Sequence, residues 1–125
     1  MKRRHQVRVR RAYEARERGD GARVLVDRLW PRGLTKEKAD LDDWCKAIAP
    51  STALRTWYHH DPDRFEEFAR RYRIELESPE HAQALEELRG RAERSNVTLL
   101  TATKRSDISE AAVLAEVLHA PESVS

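Results

Sequence analysis

The 125-residue chain lacks several features that would place it in a specialised class of protein. Cys45 is its only cysteine, so an internal disulfide is excluded. A single cysteine fits a reducing cytoplasm, but it also fits many secreted proteins. No apolar run reaches the roughly 18–20 residues that a membrane-spanning helix needs. The basic start of the chain also lacks the apolar stretch of a signal peptide. We therefore expect, by default, a cytoplasmic protein that does not contact membranes.

The chain also lacks the common motifs of nucleotide and metal sites. It contains no P-loop, no G-x-G-x-x-G and no G-x-S-x-G sequence. His59 and His60 are neighbours, but adjacent side chains point in different directions and rarely bind one metal ion. No other pair of cysteine and histidine residues has the spacing of metal ligands. The sequence therefore predicts no cofactor and no metal site.

Charge is abundant but unevenly distributed. Charged residues make up 37% of the chain and hydrophobic residues 39%, which indicates a solvated surface around one folded core. Residues 1–23 contain nine basic and three acidic side chains. A basic N-terminal arm of this kind suggests a polyanion partner such as nucleic acid, with weak binding. The favoured alternative is an edge strand that its arginines protect from pairing with other chains.

Three segments have the pattern of β-strands. Gln6–Arg10 alternates valine with arginine, as a half-exposed strand does. Arg23–Leu29 contains the unbroken apolar run VLV, and Asn96–Thr103 contains a similar run. Continuous apolar runs of this length are typical of strands covered on both faces.

The rest of the chain has the pattern of helices. An apolar stripe of Leu41, Trp44, Cys45 and Ile48 predicts a helix over Thr35–Ala49. The other expected helices are a short one capped by Ser51, one that begins with Asp61 and Pro62, one over His81–Arg94, and one that begins with a capping box of Asp107 and Glu110.

These elements follow one another in the order β-β-α-α-α-α-β-α. This order predicts a single small α/β domain over residues 1–125, with a mainly parallel sheet flanked by helices. The expected ordered core covers about residues 6–119. A basic N-terminal arm precedes it, and a frayed tail over Pro121–Ser125 follows it.

A dense group of polar residues follows the first apolar strand, within the sequence RVLVDRLWPRG at Arg23–Gly33. Ligands of open parallel sheets bind beyond the carboxyl ends of the strands. The end of the other apolar strand brings Lys104 to the same edge, together with the N-terminus of the last helix. Arg28 and Arg32 could bind an oxyanion in a bidentate manner, and Lys104 would add a point charge. Trp30 would form a wall of this site.

A structural interpretation of the same residues stays open. Asp27 and Arg28 would then form local ion pairs, and Trp30 would only fill the core. For catalysis, the candidates are His60 and Asp27, which could exchange a proton with a ligand. The structural alternative for His60 is a partly buried ring that is bonded to a backbone carbonyl.

The chain resembles a known family through several motifs. These are VLVDRLWPRG at Val24–Gly33, DDWCKAIAPSTALRTWYHHD at Asp42–Asp61, FARRYRIEL at Phe68–Leu76, VTLLTATK at Val97–Lys104 and AAVLAEVL at Ala111–Leu118. They are similar to those of the YeaO-like branch of the domain of unknown function 488 proteins, over about residues 6–119.

The resemblance implies a small, soluble α/β protein with no established activity. It places Arg55, His60 and Lys104 at motif positions, together with the cluster from Asp27 to Gly33. Members of the family commonly carry an asparagine at the start of the last helix, where this chain has Ser109. A contact with a ligand and a helix cap are both open as the role of that position.

The favoured function is the binding of a small anionic ligand, with a phosphate or carboxylate group, at the carboxyl edge of the sheet. Enzymatic activity stays open. The expected ligand-binding residues are Arg28, Trp30, Arg32, Arg55, Lys104 and Ser109. The alternatives are a nucleic-acid-associated protein that uses the basic N-terminal segment, and a non-catalytic module that binds a partner or a second copy. The oligomeric state is left open.

Overall fold

The computed structural model describes residues 5–119 of the chain. Lys2, Arg3 and Arg4 of the basic arm and the tail Pro121–Ser125 lie outside the described residues. The described part is an α/β fold with one four-stranded parallel sheet, which confirms the expected fold class. No helix within residues 5–119 combines the length and the apolar character needed to cross a membrane.

The sheet has the strand order β1-β4-β2-β3. Its strands are β1 (Val7–Arg11), β2 (Ala22–Leu25), β3 (Asp43–Trp44) and β4 (Val97–Thr101). Strand β4 is central, with β1 and β2 paired on either side, and it is buried at all five positions because both faces of the sheet are covered. This explains why its sequence, VTLLT, has no alternation of polar and apolar residues. Strand β1 lies at an edge, as its alternating pattern predicts.

Between residues 5 and 119, five α-helices and three short 3-10 helices connect and cover the strands. The α-helices are α1 (Lys36–Ala39), α2 (Thr52–Tyr58), α3 (Phe65–Glu75), α4 (Pro79–Arg94) and α5 (Glu110–His119). The 3-10 helices are Lys46–Ile48, Pro62–Arg64 and Ser106–Ile108. Ser51 caps α2 and Asp61 caps the 3-10 turn before α3, as their sequence positions predict.

The larger core lies between one face of the sheet and helices α2 to α5. Val24, Val97 and Leu99 from the sheet pack against the helices, and Phe68 and Tyr72 of α3 are the largest helical side chains in this layer. The phenol rings of Tyr58 and Tyr72 sandwich the ring of Phe68, with centroids 4.1 and 5.8 Å from it. This face therefore buries the aromatic side chains of α3.

Two groups of side chains lie on the opposite face of the sheet. One is a smaller apolar core, and the other is charged. Leu25 and Leu100 pack against the segment that holds Trp30, Leu34 and Trp44. Further along the same face lies a group of charged side chains that we call the Asp20 cluster. Its members are Arg8, Arg10, Glu14, Glu17, Asp20 and Arg23.

Arg23 is the unexpected member of the Asp20 cluster, because it is an arginine with no solvent exposure. Its guanidinium donates to a carboxylate oxygen of Asp20 at 2.8 Å and to the backbone carbonyls of Glu14, Ala39 and Asp40. Asp20 is also fully buried. Burial alone would raise the pKa of Asp20, but the amide of Glu17 and the arginines lower it to about 2.

The predicted helix over Thr35–Ala49 is wrong. Helix α1 ends at Ala39, where Asp40 takes a left-handed conformation with φ of 47°. The chain then runs beside β2, and the amides of Asp42 and Cys45 donate to the carbonyls of Arg23 and Leu25. The stripe with helical spacing therefore belongs to an added edge strand and a 3-10 turn. Pairing with the sheet satisfies backbone groups that an isolated helix would leave to water.

Several element boundaries also differ from expectation. Strand β2 ends at Leu25, so the segment before Pro31 is a loop and not the continued strand. Helix α4 begins at Pro79, two residues before the predicted start. Helix α5 is capped by Ser109, whose hydroxyl accepts from the amide of Ala112 at 3.3 Å. The capping box of Asp107 and Glu110 is therefore wrong, because Asp107 lies in the 3-10 turn before the cap.

Candidate functional site

A cleft with a volume of about 780 Å³ opens at the carboxyl edge of the sheet. The loop after β2 forms one wall, while α2 and the two histidines after it form the opposite wall. The residues after β4 and the start of α5 form the floor. The charged and polar lining residues are Asp27, Arg28, Arg32, Thr52, Arg55, Thr56, His59, His60, Thr103, Ser109 and Glu110. The site thus lies where parallel-sheet topology predicts it.

The loop after β2 is fixed by its aromatic residues. The indole of Trp44 donates to the carbonyl of Asp27 at 2.8 Å, and the indole of Trp30 donates to the carbonyl of Leu34 at 2.6 Å. The two indoles pack edge to face with centroids 5.4 Å apart. Trp30 therefore lines the cleft and fills the smaller core at once. Gly33, with φ of 76°, reverses the chain beyond it.

Arg28 and Arg32 project from this loop as exposed side chains. Neither guanidinium has a hydrogen bond or an ion pair with any residue in the range 5–119. The carbonyl of Arg32 accepts from the hydroxyl of Tyr13 at 2.8 Å, so the backbone at this position is held. The structure therefore gives no support to the expected local ion pair between Asp27 and Arg28. Both cations are available to a ligand.

Arg55 reaches the cleft from α2 and is half-buried. One terminal nitrogen donates to the hydroxyl of Thr52 at 3.3 Å. Its Nε is buried and has no acceptor among the described residues. A buried guanidinium N–H without an acceptor is energetically costly, so this position favours an oxygen atom from a ligand or from water.

Asp27 and Glu110 meet on the floor of the cleft. One oxygen of Asp27 accepts from the amide of Ala102 at 2.8 Å. Burial of the Glu110 carboxyl, its hydrogen bond to Asp27 and repulsion by that carboxylate raise the pKa of Glu110 well above its ordinary value. Arg55 acts in the opposite direction but does not reverse the shift.

Ser109 and Lys104 have different positions relative to the cleft. Ser109 is buried in the cleft lining, and its hydroxyl donates to the carbonyl of Ser106 at 2.7 Å besides capping α5. Helix capping, one of the two roles left open for this position, is therefore observed for the Ser109 hydroxyl. Lys104 is exposed and is not part of the cleft lining.

His59 and His60 lie at the end of α2, and both line the cleft. Both backbones are left-handed, with φ of 48° and 54°. Such conformations are uncommon outside glycine and cluster at functional sites. His60 is exposed, and its ring makes no hydrogen bond to a residue that the structure describes. The alternative of a partly buried, carbonyl-bonded His60 is therefore not what the structure has.

The sequence does not identify Glu110 as a member of the site. The residue follows a predicted strand at the start of a helix, so its place at the carboxyl edge could be inferred from topology. Its contact with Asp27 could not be inferred, because the same residue also fits a helix cap. Arg55 was indicated only by the family resemblance.

The sequence comparison decides the family. The family described as the inactive DUF488-N3 subclade matches residues 6–123. The chain belongs to this family. The match confirms the resemblance seen in the motifs, including its relation to YeaO.

Similar proteins cover nearly the whole chain of this DUF488-N3 protein. Uncharacterized protein Rv3073c of Mycobacterium tuberculosis (strain ATCC 25618 / H37Rv) is 51% identical over 119 residues, which are 95% of this chain and 98% of the relative. Uncharacterized protein YeaO of Escherichia coli (strain K12) is 39% identical over 113 residues, which are 90% of this chain and 96% of the relative. No solved structure gives a significant match.

Proposed function

We propose that this protein binds a small anionic ligand in the cleft at the carboxyl edge of its sheet. The observation that carries the proposal is the state of three arginines. Arg28 and Arg32 have no anionic partner within residues 5–119, and Arg55 has a buried Nε without an acceptor. Guanidinium groups match the oxygen geometry of phosphate, sulfate and carboxylate groups.

The shape and walls of the cleft support a small molecule as the ligand. Its volume of about 780 Å³ lies in the usual range of ligand pockets. Apolar atoms of Trp30, Pro31 and Phe68 contribute to its lining. Leu29 and Tyr13, which also line it, are two of the three large apolar side chains described as exposed. The proposed ligand therefore has an apolar part beside its anionic group.

Binding without catalysis is the better supported form of this proposal. Asp27 is a poor candidate for a free base, because its oxygens face the amide of Ala102 and the carboxyl of Glu110. His60 lines the cleft but no described residue orients its ring. The description of the subclade as inactive fits a binding role.

The structure gives less support to nucleic-acid binding through the basic N-terminal segment. Arg8 and Arg10 bind the carboxylate of Asp20, and Arg16 binds those of Asp40 and Asp42. Arginines that neutralise carboxylates inside the fold release few counterions from a phosphate backbone. The observations therefore favour the cleft over the arm.

Sulfate and phosphate binding test the proposal directly. The wild-type protein and the Arg28→Gln/Arg32→Gln double variant would be titrated with each anion at fixed ionic strength, with NMR shifts and the thermal midpoint as readouts. Arg18→Gln is the matched control, because Arg18 is exposed and has no ion pair in the described part of the chain. A short single-stranded oligonucleotide tests the nucleic-acid alternative.

We expect wild type and Arg18→Gln to bind the anions equally, and the double variant to lose at least about tenfold in affinity. NMR shift changes should include residues of the loop after β2 and of α2. Equal anion affinity in all three proteins would refute the proposal. Suppose that only the oligonucleotide binds, and that Arg18→Gln weakens this binding as much as the double variant does. This result would support the basic N-terminal arm as the binding segment instead.

A further inference from the structure

The two carboxyl groups on the cleft floor come from distant parts of the chain. Asp27 follows β2, and Glu110 is the first residue of α5. Both line the cleft, and the Asp27 carboxyl raises the pKa of Glu110 through hydrogen bonding and charge. Ionised carboxylates are only acceptors, so a hydrogen bond between two carboxyl groups requires a proton on one of them.

The hydrogen bonds of Asp27 lead to the same conclusion independently. Its Oδ2 accepts from the amide of Ala102 at 2.8 Å. Its Oδ1 is buried, and an ionised Glu110 leaves it with no donor among residues 5–119. A proton on Glu110 supplies the missing donor. Buried polar atoms in folded proteins nearly always have a partner, so this arrangement favours a neutral Glu110 beside Asp27.

The groups around the pair do not replace this proton. Arg55 of α2 is the cation that acts on Glu110. Tyr58 of α2 and Tyr72 of α3 also face Glu110, but burial raises the pKa of both hydroxyls, so they stay neutral. Arg105 and Asp107, in the segment before α5, bind each other at 2.8 Å. The remaining titratable and charged groups of the cleft are Tyr13, Arg28, Arg32, His59 and His60.

We propose that Asp27 and Glu110 hold one proton between them at neutral pH, and that this proton makes the cleft selective for a doubly charged oxyanion. This inference rests on the proposed function. With the proton present, the pair carries one negative charge against the three cleft arginines. The resulting surplus of two positive charges matches a phosphate monoester dianion or sulfate better than a monocarboxylate.

The proposal links anion affinity to pH through Glu110. When the pH rises through the pKa of the pair, the proton leaves and the surplus positive charge falls by one unit. Anion affinity then falls, because the second carboxylate repels the ligand. Conversely, a bound dianion raises the proton affinity of the pair, since linkage acts in both directions.

A carboxyl titration tests the shared proton without any ligand. The side-chain carboxyl ¹³C shifts of the wild-type protein would be followed from acid to alkaline pH. We expect the Glu110 carboxyl to titrate clearly above the ordinary glutamate value of 4.5. Titration at or below that value would overturn the shared proton.

Sulfate affinity tests the link to binding. Sulfate keeps its double charge across the range, so a change in affinity reports the protein. We expect the sulfate affinity of wild type to be about fivefold lower at a pH above the titration of Glu110 than at a pH below it. A loss of this size corresponds to one added negative charge near the site. Glu110→Gln keeps a neutral donor to Asp27 and should lose much less. His59 and His60 are present in both proteins, so their contribution is common to both.

Each outcome has a separate meaning. Glu116→Gln, the matched charge change outside the cleft, should follow the wild-type pH curve. Parallel curves for wild type and Glu110→Gln, with binding retained, would overturn the proton link and leave the proposed function standing. Absence of sulfate binding in every protein would refute the proposed function and the link with it. Acetate that binds as tightly as sulfate would overturn the selectivity for a dianion.

Discussion

Arginine side chains are in opposite situations in two regions of this protein. In the Asp20 cluster, Arg10 and Arg23 are bound to the carboxylate of Asp20 at 2.8 Å, and Arg23 has no solvent exposure. In the cleft, Arg28 and Arg32 are exposed and have no such partner within the described chain. The first group neutralises a carboxylate inside the fold, and the second lacks an acidic partner among residues 5–119. Net charge alone therefore says little about where an anion binds.

The largest effect should come from removing the anion of the paired region. Asp20→Asn leaves Arg23 buried without a counter-charge, which costs about 3–5 kcal/mol of folding free energy. Urea unfolding measures the loss. Asp63→Asn is the control, because Asp63 is exposed and its carboxylate has no ion pair among residues 5–119. Equal stability of the two variants would contradict a structural role for the cluster.

The same variant has a defined pH signature. The pKa of Asp20 is about 2 in the fold against an ordinary value of 3.8. A lowered pKa stabilises the fold above pH 3.8, and this contribution disappears as pH falls towards about 2. The free energy of unfolding of wild type should therefore fall more steeply in acid than that of Asp20→Asn.

Two glycines in left-handed conformations extend the comparison of the two regions, since Gly21 follows Asp20 and Gly33 follows Arg32. A Cβ at Gly21, where φ is 62°, would lie 2.1 Å from the carbonyl oxygen of Asn96. A Cβ at Gly33, where φ is 76°, would meet nothing within 4 Å. We expect Gly21→Ala to lose about 3 kcal/mol or more through the clash. Gly33→Ala should lose only the conformational cost of about 1–2 kcal/mol. Thermal unfolding of the two variants compares them, and the reverse ranking would contradict the geometry.

The sequence predicts the location of the cleft better than its charge state. An apolar run that ends in DRLWPRG identifies the end of a buried strand, and parallel topology then places the site. The burial of Arg23 is not predictable locally, because it depends on register. Arg8, Thr98 and Arg23 are opposite one another across three strands, which brings their side chains to one face. Pairing between distant segments also creates β3 and the contact of Asp27 with Glu110.

A smaller effect is expected from the acid pair of the cleft. The pKa of Glu110 is raised above its ordinary value of 4.5, so the folded state binds a proton that the unfolded state has released. Stability should therefore fall as pH rises from about 4.5 through the raised pKa, by about 1.4 kcal/mol for each unit of the shift. In Glu110→Gln this decline should be absent. Chemical denaturation at several pH values measures it, and identical slopes in both proteins would contradict a raised pKa.

The smallest effect on stability should come from the unpaired arginines. Arg28→Gln and Arg32→Gln should each change the free energy of unfolding by no more than about 0.5 kcal/mol, because exposed side chains without partners contribute little. Arg10→Gln, with the same change of charge, should lose about 1.5–3 kcal/mol through its charged hydrogen bonds to Asp20. Urea unfolding of the three variants decides between the regions. If Arg32→Gln destabilised the protein as much as Arg10→Gln, Arg32 would be part of the fold, and its availability to an anion would have to be rejected.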